Sequence, residues 1–149
     1  IALGENCEEA APDFLKPNGL ELGQLTGNDG LHIERQAENG DLSAAKDAAL
    51  ALHGRGVAEV LVTLGGAGGL LVTGEGAWYS PSPKVDVVST VGAGDSATAG
   101  YLIAREAGLD APARLAYAVA YGAAAVSLLG TTIPTPQQVS PNFEAVVKI

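Results

Sequence analysis

A short glycine-rich turn, Gly92-Ala93-Gly94-Asp95, carries the strongest chemical signal in the sequence. It follows an apolar run at residues 85–88 that predicts a strand, and it precedes a predicted helix. A helix start exposes unpaired N–H groups and the positive end of the helix dipole, and glycines let the backbone approach a ligand closely. The turn therefore favours an anion site. Asp95 would repel an anion unless it serves as a general base or a magnesium partner; the alternative is that it only caps the helix.

The same turn also fits a loose dinucleotide-binding pattern, Gly92-x-Gly94-x-x-Ala97. That pattern requires a second strand ending in an acidic residue about 20 positions further on. Leu115 and Tyr117 occupy that region, and both fall inside a predicted helix. The dinucleotide interpretation is therefore the weaker one, and no glycine cluster is followed by the Gly-Lys-Ser/Thr of a P-loop.

Two further motifs follow predicted strands. Thr63-Leu64-Gly65-Gly66-Ala67-Gly68-Gly69 comes directly after a β-branched, apolar run, where open α/β sheets place their ligands, although a glycine-rich turn into a hairpin explains it equally. Lys16-Pro17-Asn18-Gly19-Leu20-Glu21-Leu22 follows the first predicted strand. Asn18 and Glu21 lie three residues apart, so one helical turn could direct both at a magnesium ion that keeps most of its waters; the alternative is a turn and a helix cap.

The segments around these motifs predict alternating strands and helices. Helical periodicity and cap residues occur at residues 21–26, 41–53, 96–106 and 110–129, while residues 28–40 indicate a loop or an irregular helix. Runs of strand length occur at residues 13–16, 60–64, 70–72, 77–79, 85–88 and 145–149. This order predicts an α/β fold with a largely parallel sheet, interrupted by an antiparallel hairpin that turns at Gly74-Glu75-Gly76.

Composition excludes several classes of protein. The chain has 149 residues, a formal charge of −9, one Cys and no Met. A disulfide framework or Cys-based zinc site is excluded, and the acidic balance argues against nucleic acid and anionic membranes as partners. No apolar run is long enough to cross a membrane, so we expect a cytoplasmic protein. Because the chain begins at Ile1 and lacks Met, we expect it to be processed or part of a longer protein.

The three motifs in this order resemble the ribokinase-like, or phosphofructokinase B, family of carbohydrate kinases. The resemblance spans residues 13–136, and the run Ser89-Thr90-Val91-Gly92-Ala93-Gly94-Asp95-Ser96 is most similar to the bacterial branch that phosphorylates fructose 1-phosphate. It implies the C-terminal part of a ribokinase-like three-layer sandwich with a mostly parallel sheet and an antiparallel hairpin. Residues 1–149 would then form the nucleotide-binding portion of a sugar kinase domain, without the N-terminal half and lid.

The resemblance also implies roles for single residues. Asp95 would be the general base, and Gly92, Ala93 and Gly94 would form an anion hole around the transferring phosphoryl group. Asn18 and Glu21 would match the family's Asn-x-x-Glu pair, with Glu21 reaching magnesium through water. The residues expected to line the nucleotide are Thr63, Gly65, Gly66 and Gly68, with residues 123–127 beside the adenine.

The implied activity is ATP- and magnesium-dependent phosphoryl transfer to a sugar-phosphate hydroxyl, with fructose 1-phosphate as the leading acceptor and fructose 1,6-bisphosphate as the product. A homodimer of the full-length enzyme is expected. The alternatives are a non-catalytic nucleotide-binding fragment and a family kinase for tagatose 6-phosphate, ribose or a nucleoside. Two departures from the family pattern stand out. Ser89 replaces a common Asp or Asn, which puts potassium dependence in doubt, and Ala97 replaces a bulkier residue.

Overall fold

The computed structural model describes residues 12–128 and 133–149. Within them, one five-stranded sheet is covered by five α-helices. The strands are β1 (Phe14–Leu15), β2 (Glu59–Thr63), β3 (Gly69–Thr73), β4 (Gly76–Ser80) and β5 (Val147–Lys148). The helices are α1 (Gly19–Thr26), α2 (Gly30–Glu38), α3 (Ser43–Gly54), α4 (Ala93–Glu106) and α5 (Ala111–Val126). None of these helices combines the length and apolar character needed to cross a membrane.

Local capping chemistry explains several of the helix boundaries. Asn18 caps the start of α1, and Gly27 ends it in the left-handed conformation at φ 72°. Asp110 accepts a hydrogen bond from the Ala113 N–H at 3.1 Å and starts α5, as predicted. The predicted end of this helix at Gly130 lies outside the described residues, and α5 itself ends at Val126.

The segment at residues 28–40 forms a regular helix, α2. Asp29 accepts hydrogen bonds from the Leu31 and His32 N–H groups and so caps its start. Ile33 and Ala37, one turn apart, are buried on its inner face. The cap residue and this spacing were the sequence signals that identify the helix.

The predicted antiparallel hairpin is confirmed as β3 and β4, but the expectation of a mostly parallel sheet is wrong over the described strands. Only β1 and β2 are parallel, whereas the pairs β2–β3, β3–β4 and β4–β5 are antiparallel. For β2–β3 and β3–β4 the reason is the length of the connections, because a parallel pair needs a long crossover while a short turn reverses the chain. Helices α1 to α3 provide that crossover between β1 and β2, but only a few residues join β2 to β3 and β3 to β4.

The sheet is the middle of three layers, as the resemblance implies. Alternate residues of β2 and β3 point to opposite faces, because side chains alternate along a strand. Val60, Val62, Leu70 and Val72 join a buried cluster with α1, α2 and α3 on one face. Leu61 and Leu71 pack with residues of α4 and α5 on the other face.

Residues 85–88 do not form the predicted strand. They belong to a connection at residues 81–92 that contains no regular secondary structure. The Val88 and Ser89 N–H groups both donate to the Val126 carbonyl at the end of α5, at 2.7 and 3.1 Å, rather than to a neighbouring strand. The β-branched residues predicted a strand, but these backbone groups are paired with a helix terminus instead.

Candidate functional site

Parallel pairing of β1 and β2 brings two of the three motifs together. The Thr63 N–H donates to the Pro17 carbonyl at 3.0 Å, and Asn18 forms a parallel bridge with Thr63. The Lys-Pro-Asn turn and the glycine segment after β2 therefore lie side by side at the carboxyl end of the sheet. Ligand sites of α/β sheets occur at this edge.

Asn18 and Glu21 form a reciprocal capping box. The Asn18 Oδ1 accepts from the Glu21 N–H at 2.8 Å, and the Glu21 Oε1 accepts from the Asn18 N–H at 3.0 Å. These two bonds satisfy the start of α1, so the arrangement matches the cap alternative. Glu21 is exposed, and its carboxylate is held by the backbone of its own turn.

The third motif starts α4 without a side-chain cap. Gly92 adopts the left-handed conformation at φ 84°, and its carbonyl accepts from the Ser96 N–H at 2.9 Å. Since no side chain caps this start, the first-turn N–H groups of Gly94 and Asp95 remain available for an anion.

Lys16 brings a positive charge to this helix start. Its Nζ lies 3.0 Å from the position that a Cβ on Gly94 would occupy. The ammonium group of one motif therefore lies over the glycine of another. A lysine and a helix N-terminus together form a strong site for a phosphate group.

These motifs open into one cleft of about 760 Å³, a size typical of small-molecule sites. Among the described residues, seven of the ten predicted site residues line it: Asn18, Thr63, Gly65, Gly66, Gly68, Ala93 and Gly94. Gly92, Asp95 and Glu21 are not part of its lining. Asp95 lies in the first turn of α4, next to Gly94, with its side chain exposed to solvent.

The cleft has both polar and apolar lining. We call the region around Lys16 and the start of α4 its polar end. Val85 and Val87 of the irregular connection form an apolar wall, and α5 contributes further apolar lining through Val119, Ala123 and Val126. Ala123 and Val126 belong to the segment expected beside the adenine, whereas Ser127 is exposed and is not part of the lining. A polar end and an apolar wall in one cleft suit a ligand that carries both phosphate and an aromatic ring.

Three charged residues of the cleft had no role in the sequence analysis: Lys16, Lys84 and Glu34. Lys16 stands two residues before Asn18, so its place in the motif was the available signal. Lys84 comes just before the valines of the apolar wall. Glu34 belongs to α2 and had no signal, because only tertiary packing carries α2 to the edge of the cleft.

Two predicted residues have structural roles as well. Gly68 has φ 105°, and a Cβ there would collide with the Ser80 carbonyl oxygen. The backbone conformation and the contact with Ser80 therefore both require glycine at position 68, which also lines the cleft. Ser89 accepts a hydrogen bond at its Oγ from the Val91 N–H at 3.2 Å, which shapes the connection just before α4.

The structure does not support the alternative that the glycine turn binds a dinucleotide. Leu115 and Tyr117 both lie within α5, and α4 is followed by that helix rather than by a strand. No acidic strand end is therefore available at the required position.

Among the described residues, no group of three or more His, Cys, Asp or Glu side chains could hold a metal ion.

Comparison with known proteins decides the family. Residues 5–138 match the profile of the pfkB family of carbohydrate kinases. The chain belongs to this family. It is 38% identical over 141 residues to a 1-phosphofructokinase of Haloferax volcanii, and 39% identical over 127 residues to a 1-phosphofructokinase of Escherichia coli K12. These alignments cover 93% and 83% of this chain.

The solved structures agree on the ribokinase-like fold. The Escherichia coli phosphofructokinase-2, solved in complex with potassium, aligns with a TM-score of 0.73 at 27% identity, over 85% of this chain and 38% of its own length. The chain likewise spans 43% of the Haloferax enzyme and 38% of the Escherichia coli 1-phosphofructokinase. It therefore corresponds to about two-fifths of the proteins it matches.

Proposed function

We propose that this pfkB-family chain is the nucleotide-binding portion of a sugar-phosphate kinase, which transfers a phosphoryl group from ATP to fructose 1-phosphate and forms fructose 1,6-bisphosphate. The proposal rests on one observation: the Lys16 ammonium group lies beside Gly94 in the uncapped first turn of α4, at the polar end of the cleft. We also propose that the full-length protein is a homodimer and that it acts in the cytoplasm.

The cleft suits the two ends of ATP. Its apolar wall at Val85, Val87 and Ala123 would contact the adenine, while Gly65 and Gly66 would let the backbone approach the ribose and phosphates. Gly65 and Gly66 both have open space where a Cβ would stand, so their surface is free to receive a ligand. The phosphate chain would then run toward Lys16 and the N-terminus of α4.

The reaction would take place at the start of α4. Phosphoryl transfer proceeds mainly by positioning the reactants and stabilising charge. The turn at residues 92–94, through N–H groups such as that of Gly94, would stabilise the equatorial oxygens of the transferring group, and Lys16 would add a full positive charge. Asp95, exposed in the same turn, would accept the proton of the acceptor hydroxyl as the sugar phosphate arrives from solvent.

Magnesium fits the donor set of the cleft when it is held chiefly by the nucleotide. The described residues offer no cluster of three ligating side chains, and magnesium in kinase sites often keeps several waters beside one or two carboxylates. When bound, the ion neutralises phosphate charge.

The test of the base is Asp95→Asn in the protein expressed from its complete reading frame. Turnover of fructose 1-phosphate should fall by at least about a hundredfold, because general-base catalysis contributes about 10²- to 10⁴-fold. The equilibrium affinity for ATP should change little, since Asp95 is not part of the cleft lining. Near-normal turnover would refute the assignment of Asp95.

Assaying the 149-residue chain with ATP, magnesium and fructose 1-phosphate separates catalysis from binding alone. Product formation would refute the non-catalytic alternative. Nucleotide binding without product, together with activity of the complete protein, would assign binding to this chain and the acceptor site to the remaining three-fifths of the enzyme. Parallel assays with tagatose 6-phosphate, ribose and a nucleoside decide the acceptor.

A further inference from the structure

Lys84 is the cleft residue that directly precedes the apolar wall. It stands next to Val85 in the irregular connection, and both residues line the cleft together with Val87. Its side chain is exposed, and within the described part of the chain its ammonium group forms no ion pair or hydrogen bond. A lysine ammonium offers three donors and no acceptor. The wall therefore carries a free hydrogen-bond donor at its edge.

The carbonyl groups at the end of α5, on the other side of the wall, are already engaged. The Val126 carbonyl accepts from the Val88 N–H at 2.7 Å and from the Ser89 N–H at 3.1 Å. The Ala124 carbonyl accepts from the N–H of Ser127 at 3.2 Å and from its hydroxyl at 2.7 Å. Because a carbonyl oxygen has two lone pairs, these two groups have none left for an amino group of a ligand.

Purine bases differ in the atoms that they would present to such a wall. Adenine, guanine and hypoxanthine share the acceptor N7, but position 6 carries an amino donor in adenine and a carbonyl acceptor in the other two. A lysine can donate to N7 and O6 of a 6-oxopurine together, whereas adenine offers it N7 alone. The valines contact the ring surface, which all three bases share. A free donor beside engaged acceptors therefore favours the 6-oxo group.

We propose that Lys84 determines the base selectivity of the cleft by donating to N7 and O6 of a 6-oxopurine, so that GTP and ITP bind alongside ATP. The inference rests on the proposed function, because it requires a nucleotide whose base lies against the apolar wall. Lys84 acts here as a specificity-determining residue, separate from Lys16 and the start of α4, where the phosphates would bind.

The experiment measures binding of non-hydrolysable analogues of ATP, GTP and ITP to the 149-residue chain by calorimetry, with magnesium present. The unmodified chain should bind the ITP analogue at least as tightly as the ATP analogue. Lys84→Met should weaken binding of the GTP and ITP analogues about five- to tenfold relative to the ATP analogue, the lower part of the range for such a base contact, because Lys84 is exposed. ITP and ATP differ only at position 6, so their ratio isolates the proposed contact.

Two further variants control for charge and for donor chemistry. Lys84→Arg keeps a cationic donor that can bond two acceptors, so it should retain tight binding of the ITP analogue. Lys46→Met removes the same kind of charge from α3, outside the cleft lining, and should leave all three affinities unchanged.

The ratio of the affinities separates this role from a general effect of charge. An equal loss for all three analogues in Lys84→Met would mean that Lys84 acts only on the phosphates, and it would overturn the proposal. Unchanged affinities would overturn it too, as would an unmodified chain that binds the ITP analogue more than about tenfold less tightly than the ATP analogue. These results leave the proposed function standing, because the ATP analogue still binds.

The proposed function has a separate outcome in the same experiment. If only the protein expressed from its complete reading frame binds the analogues, the same variants and ratios are measured in that protein. If neither protein binds any of the three analogues, the proposed function falls, and the base selectivity falls with it.

Discussion

At the scale of single residues, Lys16 links two parts of the sequence that are almost 80 positions apart. It follows β1, and its ammonium group lies over Gly94 in the first turn of α4. Gly94 is open to this contact because it has no side chain: a Cβ would stand 3.0 Å from Nζ. The pair therefore creates a concentrated positive site at the polar end of the cleft.

Lys16→Ala should weaken binding of magnesium–ATP by about tenfold or more, since a hydrogen bond to a charged group contributes about 1.5–3 kcal/mol. Fluorescence or calorimetric titration of the chain measures this affinity. Lys46→Ala on α3, outside the cleft lining, is the control and should bind as the unmodified chain does. Equal affinities of the two variants would show that Lys16 does not contact the phosphates.

At the scale of elements, the packing of α4 on α5 fixes where the start of α4 points. Gly100, in the middle of α4, lies against the backbone and side chains of α5: a Cβ there would be 2.7 Å from the Tyr117 carbonyl oxygen and 2.8 Å from the Tyr121 Cβ. The two helices approach this closely because position 100 is a glycine. A larger residue would push α4 away and move its first turn.

Gly100→Ala should lower the free energy of unfolding by about 1–3 kcal/mol, the usual cost of overpacking. Urea denaturation measures the change. Gly54→Ala provides the contrast, because Gly54 ends α3 with open space around its Cβ position. Alanine there should be neutral or stabilising by about 0.5–1 kcal/mol through helix propensity. If both variants unfold like the unmodified chain, the close contact between α4 and α5 is not required.

At the scale of the whole molecule, an acidic chain is proposed to bind an anionic ligand. The net charge is −9, yet two of its eight basic residues, Lys16 and Lys84, line the cleft. Local groups would therefore attract the anionic ligand despite the negative net charge. These groups are the two lysines, the uncapped start of α4 and the glycine backbone. Long-range attraction contributes little, because exposed charges more than about 10 Å apart are screened at 0.1 M salt.

The layer of α4 and α5 is joined to the sheet by a buried cluster around Tyr101. The ring is fully buried and stacks on Phe14 with centroids 4.6 Å apart, while the Arg114 guanidinium lies 5.6 Å from its centroid. Arg114 also pairs with Glu59 on β2. The Tyr101 hydroxyl has no hydrogen-bond partner among the described residues. Burial, followed by the nearby Glu59 carboxylate, raises the pKa of Tyr101.

This shift predicts a loss of stability in alkaline solution. An unfolded tyrosine titrates near pH 10, and the folded pKa is higher, so above pH 10 the unfolded state binds fewer protons and the free energy of unfolding falls. Tyr101→Phe should reduce this alkaline loss. At pH 7 it should leave stability unchanged or slightly raised, because an unpaired buried hydroxyl is removed.

Urea denaturation at pH 7 and above pH 10 tests this prediction. Tyr79→Phe is the comparison at pH 7, because the Tyr79 hydroxyl donates to the Ala67 carbonyl, and losing that bond should cost about 1 kcal/mol. A large loss of stability at pH 7 for Tyr101→Phe would mean that its hydroxyl makes a stabilising contact.

The sequence by itself indicated most of the local elements and the family resemblance, and seven of the ten site residues that it predicted line the cleft. Caps such as Asn18 and Asp110, and left-handed glycines such as Gly27, act within a few residues, so their effects can be read locally. The order of the three motifs along the chain indicated the family. In contrast, local preference wrongly predicted a strand at residues 85–88, because the Val88 N–H pairs with the distant Val126 carbonyl.

Only the tertiary structure decided which charges meet in the cleft. The antiparallel hairpin of β3 and β4 was predicted from its turn, whereas the antiparallel pairing of β2 with β3 was not. Lys16 reached Gly94 through the pairing of β1 with β2, and Glu34 reached the cleft through the packing of α2 on α1. Such contacts join residues far apart in the chain. Their geometry depends on how whole helices and strands pack, which no local pattern encodes.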